Sequence, residues 1–100
     1  MQEEKSIIVI AALEVRDAET FKKHALEIVR LTRKEAGCLR YDLLLDAQNP
    51  KKFVFIEEYA DARAFEAHRN MPYMAPFRKL RDSLVEKYLG VEELKRLNRR

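Results

Sequence analysis

The chain has 100 residues, 47% hydrophobic and 37% charged, with a formal net charge of +3. That length allows one domain, 1–100, and the composition excludes a chain disordered throughout. No apolar run approaches the roughly 20 residues of a membrane-spanning helix. The charged start, Met-Gln-Glu-Glu-Lys, does not read as a signal peptide, and a lone cysteine, Cys38, fits a reducing cytoplasm.

Lys95, Arg96, Arg99 and Arg100 carry the charge excess, and residues 1–94 sum to −1. The chain therefore reads as a core of about 7–97 with a basic C-terminal tail, 95–100. Lys22, Lys23, Arg30, Arg33 and Lys34 alternate with acids along one helix, as on a solvated face. No basic stripe suited to nucleic acid is present.

In chain order, Ile7–Val15 predicts a β-strand that is apolar in both phases through Leu13, so both faces should be covered. Asp17 predicts the N-cap of a helix to about Glu35, with Phe21, Ala25, Ile28, Val29 and Thr32 as its inner stripe. Gly37 stands where a left-handed C-cap residue is expected. Cys38 to about Leu45 and Phe53–Tyr59 predict a hairpin around the turn Ala47-Gln-Asn-Pro-Lys51. Asp61 caps a short helix from Ala62 to about Arg69, and Asn70-Met-Pro72 interrupts it. A further helix runs from Tyr73 to about Val85. Leu89–Leu97 suits helical spacing, yet the order of the other elements calls for a closing strand, and a strand over 90–97 is the expectation.

The resulting order, β-α-β-β-α-β, is the ferredoxin-like α+β split motif with an antiparallel sheet. Two helices can cover only one sheet face. A second copy of the chain, packed sheet to sheet, is the simplest cover for the Ile8, Ile10, Ala12 phase, so a homodimer is expected.

Two glycines exclude a phosphate-binding glycine loop, and His24, His68 and Cys38 form no zinc pattern, so neither cofactor nor metal is expected. The candidate chemistry lies in polar groups at core positions. Glu57 shares a strand phase with Phe53, Phe55 and Tyr59. It could cap a backbone group or pair with an arginine, or it could orient a catalytic group or fix a substrate hydroxyl. His68 falls on the inward stripe of its helix, and a histidine ring can accept a proton near neutral pH. Tyr59 and Tyr73 read as amphipathic wall residues, Met71, Met74 and Phe77 as core that could equally line an aromatic-accepting pocket, and Tyr41 as a residue able to reach it. Cys38 reads as a small buried hydrophobe.

Glu35, Gly37, Cys38 and Tyr41 form an E-x-G-C-x-x-Y segment, followed by Phe53, Glu57, Tyr59 and Asp61. Ala64, His68, Pro72 and Met74 continue it as A-x-x-x-H-x-x-x-P-x-M. Over roughly residues 7–85 this pattern resembles the antibiotic biosynthesis monooxygenase family of dimeric α/β-barrels. The resemblance implies a ferredoxin-like homodimer with a pocket in each subunit between sheet and helices. Relatives include cofactor-independent oxygenases of aromatic polyketides and quinols, haem-degrading enzymes, and a protein acting on a phosphorylated quorum-sensing signal. Two positions depart from the pattern: Tyr59 stands where tryptophan is frequent, and Tyr73 replaces a second histidine. The Asn-Trp-His arrangement of the haem-degrading branch falls on Leu13, His68 and Arg78, a poor match.

The implied activity is a cofactor-independent monooxygenase of a quinol-like or polyhydroxylated aromatic molecule, with molecular oxygen as co-substrate. His68 would be the base, and Glu57 its orienter or a hydroxyl anchor. Tyr59 and Tyr73 would contact substrate oxygens, and Tyr41, Phe55, Met74 and Phe77 would line the pocket. The alternatives are a non-oxidative enzyme that enolises or isomerises a small oxygenated metabolite, and a stress-related protein that binds a ligand without turnover. A phosphorylated substrate would need cations, for which Arg40, Arg69 and Arg78 are the candidates.

Overall fold

A computed structural model describes residues 5–99. The elements are β1 (Ile7–Val15), α1 (Ala18–Thr32), β2 (Cys38–Leu45), β3 (Lys52–Tyr59), α2 (Ala62–Arg69), α3 (Met74–Leu84) and β4 (Val85–Lys95). The four strands form one antiparallel sheet in the order β2-β3-β1-β4, the ferredoxin-like arrangement. The second helical region is split into α2 and α3, because Pro72 disfavours helical backbone at Met71.

Local chemistry sets the boundaries. Asp17 accepts from the Thr20 backbone at 3.1 Å and Asp61 from Ala64 at 2.8 Å, each satisfying an otherwise orphaned amide of a first helical turn. Asp46 accepts from Gln48 and Asn49 in the β2–β3 turn. Phe21, Ala25, Ile28, Val29 and Thr32 are all buried, as the periodicity predicts. Phe21 meets Phe53 at 4.9 Å and Phe55 edge-on at 6.2 Å, which fixes α1 on the inner sheet face.

Three boundary expectations need correction. First, α1 ends at Thr32, short of Glu35, and the Lys34 and Glu35 amides close tight turns onto the Leu31 and Thr32 carbonyls. Second, Gly37 is not a left-handed cap, since Gly90 is the sole positive-φ glycine among the described residues. A Cβ on Gly37 would lie 2.3 Å from the Ala64 Cβ, so glycine is required for the close approach of α2. The Gly37 carbonyl also accepts from the Ala60 amide at 2.8 Å, tying this loop to the entrance of α2.

Third, β4 begins at Val85, immediately after α3, and ends at Lys95, where 90–97 was expected. Ala12 pairs with Gly90 and Leu13 with Tyr88, so Leu89 is an extra residue in β4. Gly90, at φ +130°, accommodates the bulge. Without it, Tyr88 and Val91 would point to opposite faces. With it, both reach the helix side of the sheet.

Among the described residues, no layer covers the opposite sheet face. Ile8, Ile10, Ala12, Val54 and Ile56 remain partly exposed there, and Leu44 and Leu94 more so, at 45% and 41%. The basic tail is not a free appendage: Arg96 and Arg99 pair with Glu58, at 3.1 and 3.2 Å.

Candidate functional site

A cavity of about 220 Å³ opens between the inner sheet face, α2 and α3. Its walls are apolar, from Val9, Ala11, Leu13, Phe55, Phe65, Met74, Phe77 and Val91. Into this apolar space β2 brings Tyr41, β3 brings Glu57, and α2 brings His68. Arg69, Arg78, Arg81 and Tyr88 supply the remaining polar lining. The β4 bulge is what places both Tyr88 and Val91 here.

His68 occupies the last turn of α2 and is 3% exposed. Its ring packs between Tyr41, at 5.5 Å, and Tyr59, at 5.2 Å. Nδ1 lies 3.0 Å from Glu35 Oε2, and both side chains are buried. The Tyr73 hydroxyl donates to the same carboxylate oxygen. With Glu35 as the common acceptor, this geometry selects the Nδ1–H tautomer and leaves Nε2 as a proton acceptor. The close approach at Gly37 matters here, since it carries Glu35, two residues earlier, against α2.

The structure corrects the expected partner of His68. Glu57 does not orient it; its Oε1 accepts from the Tyr59 hydroxyl at 2.5 Å while the carboxyl lines the cavity. Burial pushes the Glu57 carboxyl up to about 7, and the charge of Glu35 acts in the same direction. The Tyr59 hydroxyl opposes this shift in part. Burial raises the phenols of Tyr59 and Tyr41 too, so both act here as neutral groups.

Tyr41, Phe55, Met74 and Phe77 line the cavity. Tyr59 and Tyr73 do not. Tyr59 is fully buried with its hydroxyl committed to Glu57. Tyr73 binds Glu35 and lines a separate groove between α1 and α3 with His24 and Phe77. Of the candidate cations, Arg69 and Arg78 reach the cavity, while Arg40 pairs with Asp42 at 2.5 Å elsewhere. Cys38 donates to the Arg40 carbonyl at 3.5 Å, and burial raises its thiol, the opposite of what an activated nucleophile needs.

Sequence reasoning gave Glu35 no role, although the residue opens the E-x-G-C-x-x-Y segment. Arg81, Tyr88 and Val91 carried no signal, because their placement depends on where α3 ends and β4 bulges. Among the described residues, no group of three or more His, Cys, Asp or Glu side chains could hold a metal ion, and no helix is long and apolar enough to cross a membrane.

The sequence profile of the antibiotic biosynthesis monooxygenase family matches residues 6–80. No curated protein matches the chain. A solved structure from Pseudomonas aeruginosa is 28% identical, covering 98% of this chain and 100% of its own, with a TM-score of 0.86. One from Mycobacterium tuberculosis is 28% identical, covering 93% and 96%, with a TM-score of 0.85. A third, named an antibiotic biosynthesis monooxygenase, is 27% identical over 89% and 94%, with a TM-score of 0.78.

Proposed function

The chain belongs to the antibiotic biosynthesis monooxygenase family, and from that premise we propose that it is a cofactor-independent monooxygenase of a quinol-like or polyhydroxylated aromatic substrate. The observation that carries this reading is the buried Glu35–His68 pair, 3.0 Å apart, with His68 facing an apolar cavity. Ground-state oxygen reacts slowly with closed-shell organic molecules, but a phenolate can give it an electron. A phenol titrates near 10, so ionising it at pH 7 costs about 4 kcal/mol. His68 Nε2 takes that proton. Glu35 holds the ring in its working tautomer and stabilises the imidazolium formed. The apolar walls keep water from the phenolate while oxygen attacks.

One oxygen atom enters the ring and the other leaves as water, so a phenol and O₂ give a quinone and H₂O. The substrate itself supplies all four electrons that reduce the two oxygen atoms. Glu57, poised near neutrality by its burial, exchanges a hydrogen bond with a second substrate oxygen. Tyr41, Phe55, Met74 and Phe77 contact the aromatic body. Tyr59 and Tyr73 act one step back, on the two carboxylates.

Oxygen uptake with a panel of quinols and hydroxylated aromatics, corrected for autoxidation, tests this. Uptake should depend on the protein and fall by about 10²–10⁴ in His68→Ala. Uptake unchanged in that variant refutes the assignment, and no uptake across the panel returns weight to isomerisation or simple binding. The same reading gives a homodimer through the outer sheet face, supported by the partly exposed Ile8, Ile10 and Ile56. Sedimentation at micromolar concentration should report twice the chain mass of 11.9 kDa; a single-chain mass removes the dimer.

A further inference from the structure

We propose that the molecule bound in this cavity carries a carboxylate, held at the cavity mouth by Arg78 and Arg69. The inference rests on the reading of the cavity as the substrate site and adds the charge class of what enters it.

Three guanidinium groups line the cavity, but they are not equivalent. Arg81 is already engaged, with Asp82 at 3.1 Å and its guanidinium stacked over the Tyr88 ring at 5.7 Å. Arg78 is different. It is partly buried, its one described hydrogen bond goes to the Arg69 backbone carbonyl at 3.1 Å, and it pairs with no carboxylate among the described residues. A guanidinium cannot shed its proton, so a partly desolvated one that touches no carboxylate, with Asp82 and Glu66 acting on it only from a distance, is set to bind an anion.

Arg69 approaches from α2, its guanidinium over the Phe65 ring at 5.4 Å and 3.7 Å from Glu66. Arg69 and Arg78 also line a second, polar depression with Glu66 and Asn70. The two guanidinium groups therefore stand where an apolar chamber meets a polar outlet. An aromatic ring in the first would present a substituent to the second.

Charge narrows the substituent. Glu66 is held by Asn70 at 3.1 Å and by Arg69, and Asp82 pairs with Arg81. Arg69, Arg78 and Arg81 therefore face Glu66 and Asp82 and leave a net charge of +1 while the Glu57 carboxyl is protonated. A monoanion neutralises that balance, and a dianion overshoots it. A carboxylate also matches the planar donor fork of Arg78 in a bidentate pair.

Binding is measured anaerobically by calorimetry, so that no turnover is needed. The probes are 2-naphthoate, its neutral isostere 2-naphthamide, and the dianion 2-naphthyl phosphate. Naphthoate should bind about tenfold more tightly than the amide, as expected for a hydrogen bond to a charged group. Arg78→Gln should abolish that preference and Arg69→Gln should reduce it, each read as the ratio of naphthoate to amide binding in the same variant, so that a general weakening of binding cancels. Equal binding of naphthoate and amide overturns the proposal, as does a preference that survives both substitutions. Tighter binding of the phosphate overturns the carboxylate assignment. Oxygen uptake that fails while the carboxylate preference holds refutes the oxygenase reading alone, and the reverse result refutes this inference alone.

Discussion

Glu57 and Glu58 are neighbours on β3, and both are more than nine-tenths buried, yet the protein treats them in opposite ways. Glu57 faces the cavity, receives one hydrogen bond from the neutral Tyr59, and has its carboxyl raised to about 7. Glu58 faces the outer side, where Arg96 and Arg99 converge on it. Hydrogen bonds from Arg96 first and then Ser6, with the charges of Arg96 and Arg99, lower its carboxyl to about 2 against the opposing effect of burial. Both side chains are little exposed, but Glu57 lies between sheet and helices, where burial dominates, whereas Glu58 is covered by the arginines that neutralise it. Depth and partners together set the contrast. The face with counter-ions is structural. The face without them keeps a group able to exchange a proton near neutral pH, and it is the face that carries the cavity.

The largest effect expected from this contrast comes from Glu57→Gln, which removes the charge and keeps an acceptor for Tyr59. The folded-state carboxyl titrates at about 7, above its ordinary 4.5, so its ionisation opposes folding. Below pH 4.5 the group is neutral in both folded and unfolded chains and costs nothing. The cost grows as pH rises from 4.5 to about 7 and is constant beyond, at about 3 kcal/mol for that interval. Glu57→Gln should therefore be more stable than wild type by about 3 kcal/mol at pH 8, and equal to it at pH 4.5, in denaturant melts. A gain that is the same at both pH values would mean that packing, not ionisation, separates the two proteins.

The contrast also marks how far the sequence is legible. Period-two alternation put Glu57 and Phe55 on one phase and Glu58 on the other, and that alone identified the cavity side of β3. The helix stripes and the element order followed from the same periodicities, because they are local. Contacts between elements were not legible. Glu35 meets His68 only because a glycine lets the loop after α1 press on α2, and nothing in the E-x-G-C spacing states that distance. Glu57 was the nearer guess for a histidine partner since it shared the apolar phase. The C-terminal region misled for a related reason. Leu89–Leu97 suits helical spacing as well as a strand, which hid the strand start at Val85, and the residues beyond it read only as a basic tail. Only the three-dimensional position of Glu58 shows what Arg96 and Arg99 neutralise.

A smaller effect should come from the outer face. The double variant Arg96→Gln with Arg99→Gln leaves Glu58 buried without its cations. Breaking a fully buried pair costs more, but these guanidinium side chains are 29% and 47% exposed, and solvent screens them, so about 2 kcal/mol is expected at pH 7. The sign of the pH dependence is opposite to that of Glu57. A carboxyl lowered from 4.5 to about 2 contributes stability that is fully present above 4.5 and is lost as pH falls toward 2. Wild type should lose this contribution across that window and the double variant should not, so their urea-melt stabilities should converge near pH 2. Curves that stay parallel down to pH 2 would show that the arginines act through their packed aliphatic stems and not their charge. Convergence would make the tail an electrostatic clasp on the sheet, with Glu58 held ionised by its arginines and away from the chemistry of the cavity.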